Sequence, residues 1–326
     1  MITYLFYAVL LSAAAGLLIL IARYAALELR KDRIPILIYH RIVSDSDLVK
    51  CRKASYVVSV SDFTNQMQYL KDNGYVTIDL DDYLYYRENP RQLPMKPVII
   101  TFDDGYENNY RYAYPVLKKY GFKAVIYSVA DATCSFFASF ELPERLLSPQ
   151  QMQELSNNGI SIQGHTTTHP HLKYLTDEEI YRELKKCKDA LEQITGKQVV
   201  HMAVPYGSMD KRLLNIARET GYKTVSVPGK GTVNLDTDPY DIKRLSIHRT
   251  TTLAQFGRLV SSPAYVVINR IYAASHLFVR RVFGQSFEKK LKILFARFGL
   301  DDAEKLAKLA CVLVVLIVVA VFLLRN

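Results

Sequence analysis

Short apolar runs alternate with longer polar stretches through most of this chain, and that alternation limits the fold more tightly than any other feature. Candidate strands lie at 36–39, 75–78, 98–102, 123–129, 160–163, 199–204, 222–227 and 244–247. The stretches between them carry helix punctuation. Asn73-Gly74, Tyr120-Gly121, Asn158-Gly159, Thr195-Gly196 and Thr220-Gly221 mark C-terminal ends, where glycine accepts a left-handed turn. Thr176-Asp177-Glu178-Glu179 is a capping box that opens a helix running to about Ile194, and Ser148-Pro149 opens another. Repeated strand–helix units call for a parallel sheet, because each helix returns the chain to begin the next strand in the same direction. This many units without a second break in composition point to an α/β barrel.

Barrels of this kind gather their chemistry at the C-terminal ends of the strands. The 98–102 strand runs directly into Asp103, Asp104 and Gly105. Adjacent carboxylates at a buried strand end are unfavourable, since each raises the cost of ionising the other. Alone they would also fit a solvated turn. Gly164-His165-Thr166-Thr167-Thr168-His169 follows another strand and supplies two imidazoles. One carboxylate and two histidines make a three-ligand set with an open position, the catalytic zinc pattern, and the second carboxylate is left to act as a base. His40 follows the 36–39 strand and Pro205-Tyr206-Gly207 follows the 199–204 strand, so the polar candidates share one face.

Both ends of the 326-residue chain depart from this pattern. Residues 1–22 lack any charged side chain, and 309–324 are uninterruptedly apolar. Spanning a bilayer takes about 20 helical residues, which the first segment supplies and the second reaches with Ala307 or snorkelling Lys308 and Arg325. A cleaved leader is the alternative for the first, but it has no basic start and its apolar run is too long. A buried core helix is the alternative for the second, and Val, Leu and Ile covering every face argue against it.

The net charge of +10 collects beside these segments. Arg23, Arg30, Lys31, Arg33 and Arg41 follow the first; Lys289, Lys290, Lys292, Arg297, Lys305 and Lys308 precede the second; Arg325 alone lies beyond. The positive-inside rule then puts the body of the protein in the cytoplasm, held in the cell (inner) membrane by two spans; the reverse orientation is the alternative. Charge at membrane flanks rather than on one motif argues against nucleic acid as a partner. Residues 257–304 mix aromatic and aliphatic with basic side chains, as amphipathic helices on an anionic lipid surface do, although packing against the barrel would give the same pattern. The expected division is an anchor at 1–29, a barrel at 30–256, surface helices at 257–304 and a second span at 305–326. Cys51, Cys134 and Cys187 show no pairing pattern, and Cys311 lies in the second span.

Taken together, Thr101-Phe102-Asp103-Asp104-Gly105, the His165/His169 pair and Pro205-Tyr206-Gly207 resemble the motifs of the polysaccharide deacetylase family, also called the NodB-homology or carbohydrate esterase family 4. The resemblance covers roughly 35–256. It implies a deformed (β/α) barrel of about seven strands that removes N-acetyl groups from amino sugars with one divalent metal. By position, Asp104, His165 and His169 would hold the metal and Asp103 would be the base. The Tyr206 backbone N–H, next to Pro205, would help stabilise the oxyanion. Ile36-Leu37-Ile38-Tyr39-His40-Arg41 resembles the first strand of the circularly permuted poly-N-acetylglucosamine deacetylase branch, which implies His40 as the acid; His248 is the alternative. The family often places Arg two residues before the Pro-Tyr pair to orient the base. Ala203 stands there, so the sequence does not name the partner of Asp103. His171 reads as a loop residue, since a fourth ligand would close the open position.

These readings combine into an N-deacetylase acting on an amino-sugar glycan, lipid-linked (polyprenyl-phosphate) if the barrel is cytoplasmic and a nascent exopolysaccharide or cell-wall glycan if it is outside. The Asp/His set suits zinc, and cobalt or nickel are compatible with it. A silent carbohydrate-binding component of a glycan-assembly complex is the alternative of a different class. The unfavourable Asp103–Asp104 pairing argues against it, because a silent copy has no physical reason to keep it.

Overall fold

The computed structural model describes residues 32–51, 55–131, 133, 145–229 and 232–262, with isolated positions at 281, 285 and 286. The strands are β1 (Ile36–Tyr39), β2 (Arg41–Val43), β3 (Val57–Ser59), β4 (Val76–Thr77), β5 (Pro97–Phe102), β6 (Ala124–Ser128), β7 (Ile160–Gly164), β8 (His201–Ala203), β9 (Thr224–Pro228) and β10 (Ile242–Ser246). The helices are α1 (Asp45–Lys50), α2 (Val60–Asp72), α3 (Leu80–Glu88), α4 (Tyr114–Tyr120), α5 (Pro149–Asn157), α6 (Asp177–Thr195), α7 (Lys211–Glu219) and α8 (Leu253–Ser261). The main sheet runs β1-β10-β9-β8-β7-β6-β5-β4, and an additional β1–β5 pairing closes it into a ring of seven strands with β4 outside. Every pairing in that ring is parallel.

The expected strand at 75–78 shrinks to two residues for a steric reason. β4 pairs with Pro97 and Val98, and β6 takes the same edge of β5 from Thr101 onward, so little edge remains. The last expected strand begins earlier than read, at Ile242. β2 and β3 were not legible as strands; they form a small parallel pair outside the ring. The helix signals correspond to real caps. Thr176 and Glu179 close a reciprocal capping box on α6, Ser148 and Gln151 close one on α5, and Gly121 and Gly196 end α4 and α6 at φ 67°.

Parallel strands covered on both faces read as continuous apolar runs, and β5 is buried at every residue. Along β5 alternate side chains face the same way, so Ile99, Thr101 and Asp103 form one row. Ile99 packs with Ile36, Val125, Tyr127, Ala203 and Ile242 in an apolar cluster that also holds Leu80 and Tyr83 of α3. Two residues on, Thr101 meets Arg244 of β10, and two further, so does Asp103. The barrel interior therefore changes from apolar to charged toward the C-terminal ends of its strands.

Among the described residues, no helix is long and apolar enough to cross a membrane. Both expected spans, 1–29 and 305–326, and nearly all of the expected surface helices at 257–304, lie outside the described residues.

Candidate active site

β5 delivers Asp103 into the interior and then must turn sharply. The Asp103 N–H donates to Tyr39 O of β1 at 2.9 Å, fixing the height at which its carboxyl enters the ring. Asp104 and Gly105 follow at φ 76° and 78°. A Cβ on Gly105 would sit 2.3 Å from Ser128 Oγ and 3.0 Å from Ser128 Cα, so both the conformation and the space require glycine here.

Arg244 answers the question that Ala203 leaves open. Its guanidinium, fully buried, donates from NH1 to Asp103 Oδ1 at 2.6 Å and from NH2 to Asp103 Oδ2 at 2.9 Å. A third bond runs from NH1 to Thr101 Oγ1 at 3.0 Å. The bidentate fork fixes the carboxylate plane as well as its charge. Burial pushes the Asp103 carboxyl up, but the charge of Arg244, followed by His165, outweighs it and holds it below the ordinary carboxylate range. Breaking a buried pair of this kind costs about 3–5 kcal/mol, because one charge is left uncompensated.

β7 ends at Gly164 and presents His165, whose N–H donates to Ser128 O at 3.0 Å. In the following loop the Thr167 and Thr168 N–H groups donate to Glu183 Oε2 at 2.8 and 2.9 Å. The His169 N–H donates to Thr166 Oγ1 at 3.0 Å. Glu183, on α6, thus braces the loop between the two histidines. This role left no trace in the sequence reading, because it lies one face of a helix away.

The structure brings Asp104, His165 and His169 together, with one ligand atom from each lying within 4.8 Å of the others. Asp104 Oδ1 is 3.3 Å from His165 Nε2 and 3.2 Å from His169 Nε2. Two ligands of one tetrahedral zinc, each about 2.1 Å from it, lie about 3.4 Å apart, so these spacings suit a shared ion. The tautomer of His165 makes the same point. Its Nδ1 is 2.9 Å from Ala203 O, and since a carbonyl only accepts, Nδ1 carries the proton. Whenever His165 is neutral, its Nε2 lone pair faces the Asp104 carboxylate, a repulsive contact that either a proton on Nε2 or a cation between the two relieves. Burial lowers His165, but the Asp104 hydrogen bond and the two carboxylate charges raise it further, leaving it above its ordinary value. Burial likewise raises Asp104, and its bonds to His165 and His169 more than reverse this, taking it well below the usual range. The set therefore favours positive charge at its centre.

The remaining candidates border this cluster. Pro205 is buried, and Tyr206 takes φ 59° with a half-exposed ring stacked on exposed His171 at 3.5 Å and edge-on to His169 at 4.8 Å. Non-glycine residues at positive φ cost about 1–3 kcal/mol each and persist where the surroundings enforce them. Asp104, Thr166, His169 and Tyr206 are four such residues in one site. His40 and His248 stand side by side at the ends of β1 and β10, whose register pairs Ile38 with Ser246. Both imidazoles contact Tyr56. Arg244, Glu183 and Tyr56 escaped the sequence reading. Only Arg244 left a signal, as a cation placed where the last strand should be buried.

A parallel barrel with paired carboxylates and imidazoles at the C-terminal ends of its strands defines an α/β-barrel hydrolase. Residues 91–225 match the family model Polysaccharide deacetylase. YxkH of Bacillus subtilis (strain 168), named for the same family, is 31% identical over 230 residues, 71% of this chain and 77% of that protein. The poly-beta-1,6-N-acetyl-D-glucosamine N-deacetylase of Staphylococcus aureus (strain MSSA476) is 26% identical over 206 residues, 59% of this chain and 68% of its own. The Streptococcus pyogenes deacetylase PplD, solved in complex with acetate, superposes with a TM-score of 0.62 at 27% identity, covering 71% of this chain and 99% of that one. This chain belongs to the polysaccharide deacetylase family. The matched segment stops short of β1 and β10, yet these strands neighbour each other in the ring and carry His40, Arg244 and His248.

Proposed function

We propose that this chain is a membrane-anchored, metal-dependent N-deacetylase that removes acetyl from an amino sugar held at the bilayer surface, on a lipid-linked (polyprenyl-phosphate) glycan precursor. The observation that carries hydrolysis is the buried Asp103–Arg244 pair set directly beside the Asp104, His165 and His169 cluster. Asp104, His165 and His169 would hold a divalent metal, which would supply a Lewis acid to polarise the acetyl carbonyl and lower the pKa of water. Zinc is the ion this Asp/His set suits, with cobalt and nickel as compatible substitutes.

Asp103 takes the proton of the attacking water, and Arg244 keeps it ionised and oriented for that task. The new C–O bond forms at the acetyl carbon, and the Tyr206 N–H stabilises the oxyanion. His40 then gives a ring proton to the sugar nitrogen as the C–N bond breaks, leaving acetate and a free amine. His248, at the same level of the barrel, is the alternative donor.

The membrane reading rests on the apolar segments at 1–22 and 309–324 and the basic residues that flank them. It divides the chain into an anchor at 1–29, a barrel at 30–256, basic surface helices at 257–304 and a second span at 305–326, with the barrel on the cytoplasmic side. A nascent polymer is the second reading of the substrate, favoured by the activity for which the Staphylococcus aureus relative is named.

Acetate release from membrane-extracted lipid-linked N-acetylhexosamine, measured beside a soluble N-acetylglucosamine oligomer, separates the two. Release from the lipid-linked sugar supports the precursor, and release from the oligomer alone moves the substrate to a polymer. Labelling an introduced barrel cysteine in intact cells reads the orientation independently, and labelling from outside removes the cytoplasmic version.

A further inference from the structure

We propose that Tyr56 is a positioning residue for the proton donor, holding His40 and its neighbour His248 in a single aromatic cluster at the rim of the site. The inference rests on the deacetylase reading and names a residue outside all of its motifs.

The chain route creates the cluster. β1 ends at Tyr39, and after His40 the chain leaves the ring as β2 to pair with β3. The β2–β3 register sets Arg41 beside Val57, which puts Tyr56 level with His40. The β1–β10 register puts His248 level with His40 on the other side. The Tyr56 ring lies 4.8 Å from His40 at 37° and 4.9 Å from His248 at 41°, both within the range of favourable ring pairs.

The backbone is tied at the same two places. The Arg41 N–H donates to Tyr56 O at 3.4 Å, and the Arg249 N–H donates to Ser55 O at 3.1 Å. The amide that follows each histidine is thus bonded to one of two consecutive carbonyls. The Arg249 guanidinium extends the tie by donating to Cys51 O and Leu48 O at the end of α1.

His40 needs such a support. His165 is oriented by a hydrogen bond on Nδ1, but the Nδ1 of His40 is buried and has no hydrogen-bond partner among the described residues. No polar contact at that atom sets the tilt of the ring, which leaves the Tyr56 contact to do so. A large aromatic side chain that stays 46% exposed has little burial of its own to justify its place. Its contacts with the two histidines explain why it stands there.

The experiment compares Tyr56→Ala and Tyr56→Phe in the zinc-loaded full chain, with an N-acetylglucosamine oligomer and with p-nitrophenyl acetate. The amide needs a proton on its leaving nitrogen, whereas nitrophenolate departs without one. Tyr56→Ala is expected to lower kcat on the amide by about ten- to a hundredfold, with KM and aryl-acetate turnover little changed. Tyr56→Phe keeps the ring and should stay near wild type. Equal loss on both substrates, or no loss on the amide, overturns the proposal.

Histidine NMR provides the readout that needs no turnover. The His40 and His248 ring resonances, assigned with His40→Asn and His248→Asn, should both move in Tyr56→Ala and hold in Tyr56→Phe. Resonances that stay put in Tyr56→Ala, in a protein that releases acetate, overturn the positioning role alone. Wild type that shows the ring contact yet releases no acetate from any amide overturns the deacetylase reading and the positioning role with it.

Discussion

His201 and His165 are both buried, one at the start of β8 and the other just past the end of β7, and they are treated in opposite ways. His201 has both ring nitrogens occupied, Nδ1 by Thr224 Oγ1 at 3.0 Å and Nε2 by Asp81 Oδ1 at 3.1 Å. His165 has one nitrogen committed to Ala203 O, and its other faces a carboxylate across a gap of ion-binding size. The backbone differs in the same sense. Among the described residues, four of the five non-glycine positions at positive φ cluster at the C-terminal end, and the fifth, Lys96, lies just ahead of β5. One end of the barrel resolves its polar groups for stability, while the other keeps strain and unmatched charge for use. Strain and buried charge persist only where surrounding structure holds them, and here the ring of strands does so.

Removing the proposed ion should have the largest effect. Chelation, or Asp104→Ala, is expected to reduce acetate release by about a thousandfold or more, since a Lewis acid contributes several kcal/mol to such a transition state. Zinc added back should restore the chelated wild type but not Asp104→Ala. A variant that stayed active without bound metal would remove the contrast between the two histidines.

Asp103→Asn should come next, with a loss of about 10²- to 10⁴-fold in kcat and bound metal retained. Arg244→Met tests the same pair from below. It leaves a buried carboxylate without its cation, and chemical denaturation should show a loss of about 3–5 kcal/mol.

The difference between these two residues also shows what could be read beforehand. Asp103 is visible because its neighbours in sequence, Phe102, Asp104 and Gly105, form a motif, and the helix caps are visible for the same local reason. Arg244 is 141 positions away from Asp103 and meets it only because β10 and β5 both flank β1 in the closed ring. A cation supplied by a non-adjacent strand leaves no local spacing to detect. Glu183 and Tyr56 were hidden alike, one on a helix across the loop it braces and the other beside a strand pair too short to predict. The ring itself was legible, because parallel strands buried on both faces produce long apolar runs with helices between them. The shortening of β4 was not, since it depends on β6 taking the same edge of β5.

Smaller effects test the stability side of the comparison. Gly105→Ala meets both a positive φ and the Ser128 contact, and should lose about 1–3 kcal/mol in thermal or denaturant unfolding. His201→Leu should cost about 1–3 kcal/mol by leaving buried Thr224 unsatisfied, yet the folded variant should keep full kcat. A drop in kcat for folded His201→Leu would show that the two ends are not separable.

The smallest effect belongs to Asp81. The His201 hydrogen bond, more than any other influence, holds its carboxyl below the ordinary value. A depressed folded pKa contributes stability that is present above the unfolded value of about 3.9 and fades as pH falls through the lower folded value. Asp81→Asn should therefore trail wild type slightly at neutral pH and converge with it in acid. The gap should stay below about 1 kcal/mol, because the Asp81 side chain is 66% exposed.

The most direct test of the site is acetate release from an N-acetylated amino-sugar substrate by zinc-reconstituted wild type and Asp103→Asn, with metal content measured in both. The expected result is equal zinc in the two proteins, release by wild type, and a loss of at least about a hundredfold in the variant. Equal release by the two, or no release by fully zinc-loaded wild type from either lipid-linked or oligomeric substrate, would contradict the assignment of Asp103 and its neighbours as a deacetylase centre.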